Sequence, residues 1–387
     1  MIENKQHNKS VNLWQSAIRD AVDKTKSNIL LHEKQFPHIT SEKKYSWGEN
    51  TDWIEGFYTG MVWLCYEYTK DPFFSKSAME HVDSFRDRLA ANRYMDHHDI
   101  GFLFLPSAFA AWTLLRDESS RKLALEAADH LLLRWRTEGQ YIQAWGPKGD
   151  KDNGGRIIID CMMNIPLLYW ASDQTGESKY AEIAGKHADL SRRYLMRGDD
   201  SSYHTFYFDP ADGSPIRGGT HQGYQDGSTW TRGQAWAIYG FALSYRYTGN
   251  PSYLDTARRA AHYFIRRIPE DGVVYWDFDA PVNGNTPRDS SASAIAACGM
   301  IEIASHLVQD DPDREFFMDA ASRSMASLVE HYSTVEDSHA EGLLRHGSYH
   351  VRGNLGPDDF MIWGDYYYLE ALLRLEKGIP GYWYERT

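Results

Sequence analysis

Asp160 is the residue in this chain whose surroundings most favour acid chemistry. It follows the apolar run Ile157–Ile159 and precedes Cys161 and two methionines, so its carboxyl group has apolar neighbours on both sides. Loss of hydration raises the pKa of a carboxyl group, which suits a general acid that works near neutral pH. Arg156 could offset this effect, so the sequence leaves the size of the shift open.

A second acidic group comes from the tetrad 96–99, which reads Asp-His-His-Asp. The tetrad is a poor metal site, because it lacks the His-Glu-x-x-His spacing and has no cysteine partner. A carboxylate at Asp99 that faces Asp160 is the simpler interpretation, since two acidic groups across a sugar pocket are typical of glycoside chemistry. The chain also has no phosphate-binding glycine loop and no G-x-S-x-G motif. We therefore predict no metal and no cofactor.

The composition favours a carbohydrate ligand over nucleic acid or membrane. The chain has 387 residues with an ordinary globular composition, and 41 basic against 54 acidic residues give a net charge of −13. Such a surface repels phosphate backbones and anionic lipids, so we predict neither as a partner. The 13 Trp, 25 Tyr and 16 Phe residues exceed what core filling normally requires. Tryptophan also stacks well on sugar rings.

The cysteines and the N-terminal sequence indicate a cytoplasmic protein. The first ten residues are polar and lack the basic and apolar regions of a secretory signal. No uncharged apolar run reaches the roughly 18–20 residues that span a bilayer. The three cysteines are far apart in apolar segments, which predicts buried free thiols.

Six apolar segments alternate with six amphipathic segments along the chain, which predicts an all-α fold. The apolar segments are expected to form buried inner helices, and they are Trp53–Tyr68, Gly101–Leu115, Ile157–Ser172, Gly233–Tyr247, Ala292–Leu307 and Trp363–Leu375. The amphipathic segments are expected to form an outer ring, and they are Val11–His32, Ser75–Leu89, Ser120–Arg136, Lys179–Leu195, Tyr253–Ile268 and Arg314–Tyr332. Six such hairpins close into an (α/α)6 barrel, a single domain over 1–387 with 1–10 as a loose tail. The segments 204–209 and 273–278 are rich in strand-forming residues.

In such a barrel the N-terminal ends of all inner helices meet at one mouth. The segments expected there are rich in tryptophan and carboxylate, and this combination resembles a saccharide pocket. Acidic residues also cap helices, and we assign Asp52, Asp289 and Asp365 mainly to that role. His204 and Arg232 could meet an anionic group of the ligand, or they could be a loop histidine and a surface ion pair.

Eight segments, in order, resemble the unsaturated glucuronyl hydrolases of glycoside hydrolase family 88. The resemblance extends from Trp47 to Trp383, and the segments are NTDWIEGFYTG, DHHDIGFL, IQAWGPKGD, GGRIIIDCMMN, DDSSYHTFYFDP, GGTHQGYQDGSTWTRGQAW, RDSSASA and IWGDYYYLEALLRL. The resemblance implies an (α/α)6 barrel. It also implies release of the unsaturated uronic acid that polysaccharide lyases leave at the non-reducing end of oligosaccharides.

The resemblance also implies roles for individual residues. Asp160 matches the general acid and base, which protonates C4 of the substrate's double bond so that water adds at C5. Asp99 matches the second carboxylate, which orients the substrate and supports charge. The positions that match substrate contacts are Trp53, His98, Trp145, His204, Gln222, Arg232, Trp236 and Tyr349. Trp53, Trp145 and Trp236 are expected to form walls, and Arg232 to meet the uronate.

One departure from the family concerns sulfated substrates. Family members that accept them carry a Ser and Lys cluster after the position of Tyr349, whereas this chain reads His350-Val-Arg-Gly-Asn354. We therefore predict a preference for unsulfated substrates, although Arg352 could still meet a sulfate. Three alternatives stay open: an unsaturated rhamnogalacturonyl hydrolase, a sugar epimerase, and a carbohydrate-binding barrel without catalysis. The sequence does not fix the parent polysaccharide or the oligomeric state.

Overall fold

Helices dominate the computed structural model, which describes residues 2–41 and 43–386. In chain order they are α1 (Ile2–His32), α2 (Glu55–Thr69), α3 (Pro72–Ala90), α4 (Ile100–Phe104), α5 (Ala110–Leu115), α6 (Glu118–Leu132), α7 (Pro166–Thr175), α8 (Ser178–Tyr194), α9 (Thr231–Thr248), α10 (Pro251–Ile265), α11 (Ser290–His306), α12 (Pro312–Ser327) and α13 (Ile362–Lys377). A π-helical turn, Leu105–Phe109, joins α4 to α5, and another, Leu328–Tyr332, extends α12.

The inner helices form a closed ring. Helix α2 packs on α4, α4 on α7, α7 on α9, α9 on α11, α11 on α13, and α13 returns to α2. Each inner helix also packs against an amphipathic outer neighbour, such as α3 on α2 and α12 on α11. The predicted (α/α)6 barrel is confirmed.

A recurring turn makes most of the hairpins. Most inner helices end on a residue in the left-handed conformation, such as Lys70 or Gly249, whereas α11 ends on the extended Leu307. Three outer helices, α3, α10 and α12, then begin at a cap followed by proline: the side chain of Asp71, for example, accepts the N–H of Phe73 at 3.0 Å, ahead of α3. Proline suits this position because its missing N–H would have no helical partner there. The polar residues that separate each inner helix from the next outer helix therefore form helix-to-helix turns.

Short strands occur only in the loops that enter inner helices, among the described residues. They are β1 (Phe36–Ser41), β2 (Lys44–Gly48), β3 (Trp135–Arg136), β4 (Tyr141–Ile142), β5 (Arg156–Ile158), β6 (Thr205–Phe208) and β7 (Pro215–Gly219). They pair as β1–β2, β3–β4 and β5–β6–β7, all antiparallel. These small sheets build the rim of the mouth.

The third inner helix differs from its prediction. Residues 156–158 form β5, with Ile158 opposite Thr205, and α7 begins only at Pro166. A short apolar run fits a buried strand as well as a buried helix, so its periodicity could not separate the two. A 3₁₀ turn, Ile159–Met163, joins strand to helix, and it carries Asp160.

Two smaller predictions also differ from the structure. The outer helix Ser120–Arg136 ends at Leu132, because β3 pairs with β4. The segment 273–278 makes only isolated bridges, through Tyr275 and Asp277.

Buried charges fill the end of the barrel opposite the mouth. The Arg374 guanidinium lies 2.9 Å from Glu302 and 3.0 Å from Glu370, and Trp383 donates to Glu370 at 2.9 Å. The Trp383 ring stacks on Tyr367, with the two centroids 5.7 Å apart. None of the helices in the described part of the chain is long and apolar enough to cross a membrane.

Candidate active site

A cavity of about 220 Å³ lies at the mouth. At about 30 Å³ for each water molecule in the liquid, this volume corresponds to roughly seven waters. That is the scale of a single sugar ring. The predicted site residues that line it are Trp53, His98, Asp99, Trp145, Asp160, Gln222 and Tyr349. Its other lining residues, His221, His350 and Leu355, were not predicted. Two of them adjoin predicted residues, and that adjacency was the available signal.

Asp160 presents an unpartnered carboxyl group to this cavity. Its Oδ2 atom is buried and has no hydrogen-bond partner among the described residues. Burial, reinforced by the charge of Asp99 and opposed by that of Arg232, raises the pKa of Asp160 to about 8. Arg156, the residue expected to offset the shift, stacks instead on Trp145 and Tyr207. The carboxyl group is therefore protonated at neutral pH and can act as an acid.

Asp99 has the opposite character. Burial alone would raise the pKa of Asp99, but His98, His97 and Asn164 outweigh it and hold the pKa below its ordinary value. The nearest nitrogens of the two histidines are each 3.4 Å from its carboxylate, and the amide of Asn164 is 3.5 Å away. Although Asp99 precedes α4, its side chain does not cap that helix. Its charge is thus available to the cavity.

Asn164 connects the two acids. Its Nδ2 group donates to the backbone carbonyl of Asp160 at 3.2 Å as well as approaching Asp99. Its Oδ1 atom accepts the N–H of Phe102 at 2.7 Å, which ties the start of α4 to the 3₁₀ turn. One buried amide therefore fixes the spacing of the protonated and the charged carboxyl groups.

His204 lies behind Asp160 and does not line the cavity. Its Nδ1 atom accepts the backbone N–H groups of His221 and Gln222, both at 3.1 Å. Burial lowers the pKa of His204 well below its ordinary value, so the ring is neutral and carries its proton on Nε2. That nitrogen is 3.9 Å from Oδ2 of Asp160.

Arg232 and Trp236, for which the family resemblance implied substrate contacts, are not among the residues that line the cavity. Trp236 is fully buried and packs between Phe102 and Tyr367, at 5.1 and 5.4 Å between ring centroids. Arg232 is 1% exposed and paired with Asp289 at 2.6 Å. Both residues belong to the buried part of α9.

Two groups of aromatic residues line the cavity. In one, the indole N–H of Trp53 donates to the hydroxyl of Tyr349 at 3.0 Å, and both rings rest on Trp363. In the other, Trp145 meets the edge of His221 at 5.0 Å. Trp53 and Trp145 thus both line the cavity, and their contact with a sugar stays a prediction.

A pair of histidines completes the rim. The rings of His221 and His350 stack with centroids 4.9 Å apart, and Nε2 of His350 donates to the His221 carbonyl at 3.0 Å. Burial, together with His350, Arg156 and Arg352, lowers the pKa of His221 to about 4. His98, by contrast, lies beside Asp99, with its Nε2 atom 3.4 Å from the carboxylate.

The residues assigned to capping divide into two groups. Asp289 does cap α11, through the N–H of Ala292. Asp365 instead accepts the N–H groups of Leu343 and Leu344, at 2.8 and 2.9 Å, so it anchors a loop. Asp52 accepts from its neighbour Trp53 and contacts His38. None of the three lines the cavity.

Comparisons with known proteins agree with this geometry. The family model described as Glycosyl Hydrolase Family 88 matches residues 21–377. The chain belongs to glycoside hydrolase family 88. The family resemblance seen in the sequence is thereby confirmed. Within the described residues, no group of three or more His, Cys, Asp or Glu side chains is arranged to hold a metal.

Individual members of family 88 are similar over nearly the whole chain. The unsaturated glucuronyl hydrolase of Bacillus sp. (strain GL1) is 59% identical, over 97% of this chain and 100% of that protein, and its crystal structure superposes with a TM-score of 0.95. The unsaturated chondroitin disaccharide hydrolase of Streptococcus pyogenes serotype M1 is 42% identical, over 94% and 91%. A Streptococcus agalactiae unsaturated glucuronyl hydrolase mutant complexed with dGlcA-GalNAc6S is 39% identical, with a TM-score of 0.85 over 96% and 93%.

Proposed function

We propose that this chain releases the 4,5-unsaturated uronic acid from the non-reducing end of lyase-generated oligosaccharides. The observation that carries the proposal is the pair of acids in a one-sugar cavity, with Asp160 protonated and Asp99 charged. The similar proteins are named for activity on unsaturated glucuronyl or chondroitin disaccharides. No nucleic acid and no membrane is proposed as a partner.

The reaction is an acid-catalysed hydration. Asp160 donates its proton to C4 of the double bond, and the electron pair of that bond forms the new C–H bond. Positive charge then develops at C5 and the ring oxygen, where the carboxylate of Asp99 stabilises it. Water adds at C5 and returns a proton to Asp160. The hemiketal opens, and the next sugar leaves with the glycosidic oxygen.

A second depression gives the leaving sugar a place. It has a volume of about 360 Å³, shares Trp53, Asp99 and Trp145 with the cavity, and extends past Tyr94 and His97. A short substrate brings one or two charges to the histidines and arginines of the rim. A long polyanion would meet the net charge of −13. We therefore propose short unsaturated oligosaccharides as substrates.

Product analysis tests this function against the alternatives. With purified protein and a lyase-generated disaccharide, the ultraviolet absorbance of the double bond should disappear while a reducing sugar is released. An epimerase would leave the glycosidic bond intact, and a rhamnose product would indicate a rhamnogalacturonyl hydrolase. Binding without turnover would overturn the proposal. The cytoplasmic location stays a prediction, supported by three buried free thiols.

The pH dependence of activity should reflect the raised pKa of Asp160. The acid must be protonated, so kcat/KM should stay high through neutral pH and fall as the pH rises through about 8. An acid with the ordinary pKa of 3.8 would already be ionised at neutral pH. Initial rates at low substrate concentration, recorded across the pH range, measure this dependence of kcat/KM on pH. A decline that begins near pH 4 would contradict the assignment.

Unsulfated substrates should be preferred. The turn His350–Leu355, closed by the N–H of His350 on the Leu355 carbonyl at 2.9 Å, contains no lysine. Its one cationic side chain, Arg352, donates to the Gly223 carbonyl at 3.2 Å. A sulfate that loses hydration here without gaining a partner costs about 1–3 kcal/mol, so we expect roughly tenfold lower kcat/KM on the sulfated partner of a matched disaccharide pair.

Arg352→Gln separates the two interpretations of this turn. If Arg352 does not bind sulfate, the variant keeps the same ratio of unsulfated to sulfated kcat/KM. A selective loss of the sulfated activity would assign Arg352 to sulfate. Equal wild-type rates on both disaccharides would contradict the proposed preference.

A further inference from the structure

A third hollow adjoins the two that hold the proposed substrate. It is a groove of about 480 Å³, lined by one end of the β1–β2 hairpin and by α3. Tyr94 and Thr51 line both this groove and the 360 Å³ depression proposed for the leaving sugar. That depression in turn shares Trp53, Asp99 and Trp145 with the cavity. The three hollows therefore form a row that starts at the two acids and passes Tyr94.

Tyr94 has a backbone conformation that its side chain disfavours. Its φ angle is 55°, in the left-handed region, where a bulky residue is an outlier. Tyr94 is also 61% exposed, so packing within the fold does not explain its aromatic ring. Strain of this kind persists only where the surrounding structure enforces it, and it concentrates at functional sites. The outlier therefore indicates a binding role for the ring.

Hydrogen bonds from two side chains hold the backbone of Tyr94 in place. Its carbonyl accepts from Nη2 of Arg88 at 2.6 Å and from Nε2 of His97 at 2.9 Å. Arg88 is 1% exposed, and its Nη1 group donates to the Asp52 carbonyl at 2.6 Å. The other ring nitrogen of His97 accepts the N–H of Asp99 at 3.1 Å. The position of Tyr94 is thus fixed relative to one of the two acids.

We propose that Tyr94 is the stacking platform for the third sugar of the substrate, and that the groove beyond it favours an uncharged sugar at this position. The proposal rests on the proposed function. The unsaturated uronate occupies the cavity and the leaving sugar occupies the depression, so the next unit of a longer substrate meets Tyr94. A tyrosine ring offers a flat apolar face to the C–H groups of a sugar and a hydroxyl to its polar edge.

The charges of the groove define the sugar that it favours. Four carboxylates line it, whereas only two exposed cations do so among the described residues. One of these cations, Lys34, lies 3.8 Å from Glu80, and the buried Arg88 is offset by Glu55 at 3.5 Å. A uronate at the third position would therefore be repelled, and a neutral sugar would not. The four carboxylates are those of Glu49, Glu80, Asp83 and Asp87, and the other exposed cation is Arg93.

The first test measures kcat and KM on an unsaturated disaccharide and on a tetrasaccharide that begins with the same disaccharide and has a neutral third sugar. Tyr94→Asn should raise the KM for the tetrasaccharide at least fivefold more than the KM for the disaccharide, with similar kcat on both. Asparagine adopts the left-handed conformation readily, so the variant should melt at the wild-type temperature or above it. Tyr94→Phe keeps the ring and should restore the ratio of the two KM values.

Phe316→Ala is the matched control for the loss of an exposed aromatic ring. Phe316 is 40% exposed and lies near the start of α12, at the end of the barrel opposite the mouth. This variant should keep the wild-type ratio of KM values. Equal increases of KM on both substrates in Tyr94→Asn, or no increase on the tetrasaccharide, would overturn the role of Tyr94. A wild type without turnover would overturn the proposed function instead.

The second test addresses the charge of the third sugar. Two tetrasaccharides that differ only in glucuronate or glucose at the third position should differ at least threefold in wild-type kcat/KM, in favour of glucose. The difference should shrink at high ionic strength, which screens exposed charges. It should also shrink in the double variant Asp83→Asn, Asp87→Asn. Equal rates on the two tetrasaccharides, or a preference for glucuronate, would overturn the charge selection by the groove.

Discussion

Asp160→Asn is expected to lower kcat on an unsaturated disaccharide by at least roughly 10³-fold. An amide has the shape of the protonated carboxyl group but cannot give a proton to carbon, and that proton transfer is the reaction. Initial rates from the ultraviolet absorbance of the double bond measure the loss. A variant that kept more than about a tenth of wild-type activity would contradict the role of Asp160, because general acids contribute about 10²–10⁴-fold.

The folded state should tolerate this change. Burial raises the pKa of Asp160 above its unfolded value of 3.8, so wild-type stability is full below that value and declines as the pH rises towards about 8. Asparagine does not ionise, so the variant should melt at the wild-type temperature or above it at neutral pH. Asp365→Asn is the control: burial raises the pKa of Asp365 to about 7, but its carboxyl group holds the backbone of a loop. The Asp365→Asn variant should therefore be less stable than wild type, and its kcat should change much less than that of Asp160→Asn.

Asp99→Asn should lower kcat by roughly 10²–10³-fold, comparable with the loss of one electrostatic contact to a transition state. The change removes the charge that stabilises C5. It also removes a negative neighbour that raises the pKa of Asp160, so the remaining activity should decline at lower pH than in wild type. The residual pH profile therefore tests the coupling of the two acids.

Asp96→Asn is the matched control for that variant. Asp96 belongs to the same tetrad, but its side chain is 76% exposed. Exposed charges contribute little, so activity should remain within about twofold of wild type. Equal losses in the two variants, or an unmoved pH limb in Asp99→Asn, would contradict the assigned role of Asp99.

The architecture was predictable because local signals repeat. Most apolar helices are followed by a left-handed turn and an outer helix, and α2, Lys70 and Pro72 illustrate the pattern. The segment 156–165 was not predictable in the same way. Whether an apolar run becomes β5 depends on its partner β6, which lies about 50 residues later in the chain.

The site was predictable where neighbours in the sequence decide the environment. The apolar surroundings of Asp160 were visible, and its raised pKa follows from them. The position of Arg232 depends on Asp289, 57 residues away, and on a carbonyl 117 residues away. A motif identifies such an arginine as important, but it does not say whether the guanidinium reaches the ligand or the protein.

Turnover in D₂O tests the central claim most directly. If Asp160 protonates the double bond, the first product formed from an unsaturated disaccharide should carry one deuterium at C4, on a single face, in step with the loss of ultraviolet absorbance. Asp160→Asn should yield neither the deuterium nor the loss. Release of the second sugar with the double bond intact and no deuterium at C4 would show direct cleavage of the glycosidic bond, and it would contradict hydration by Asp160.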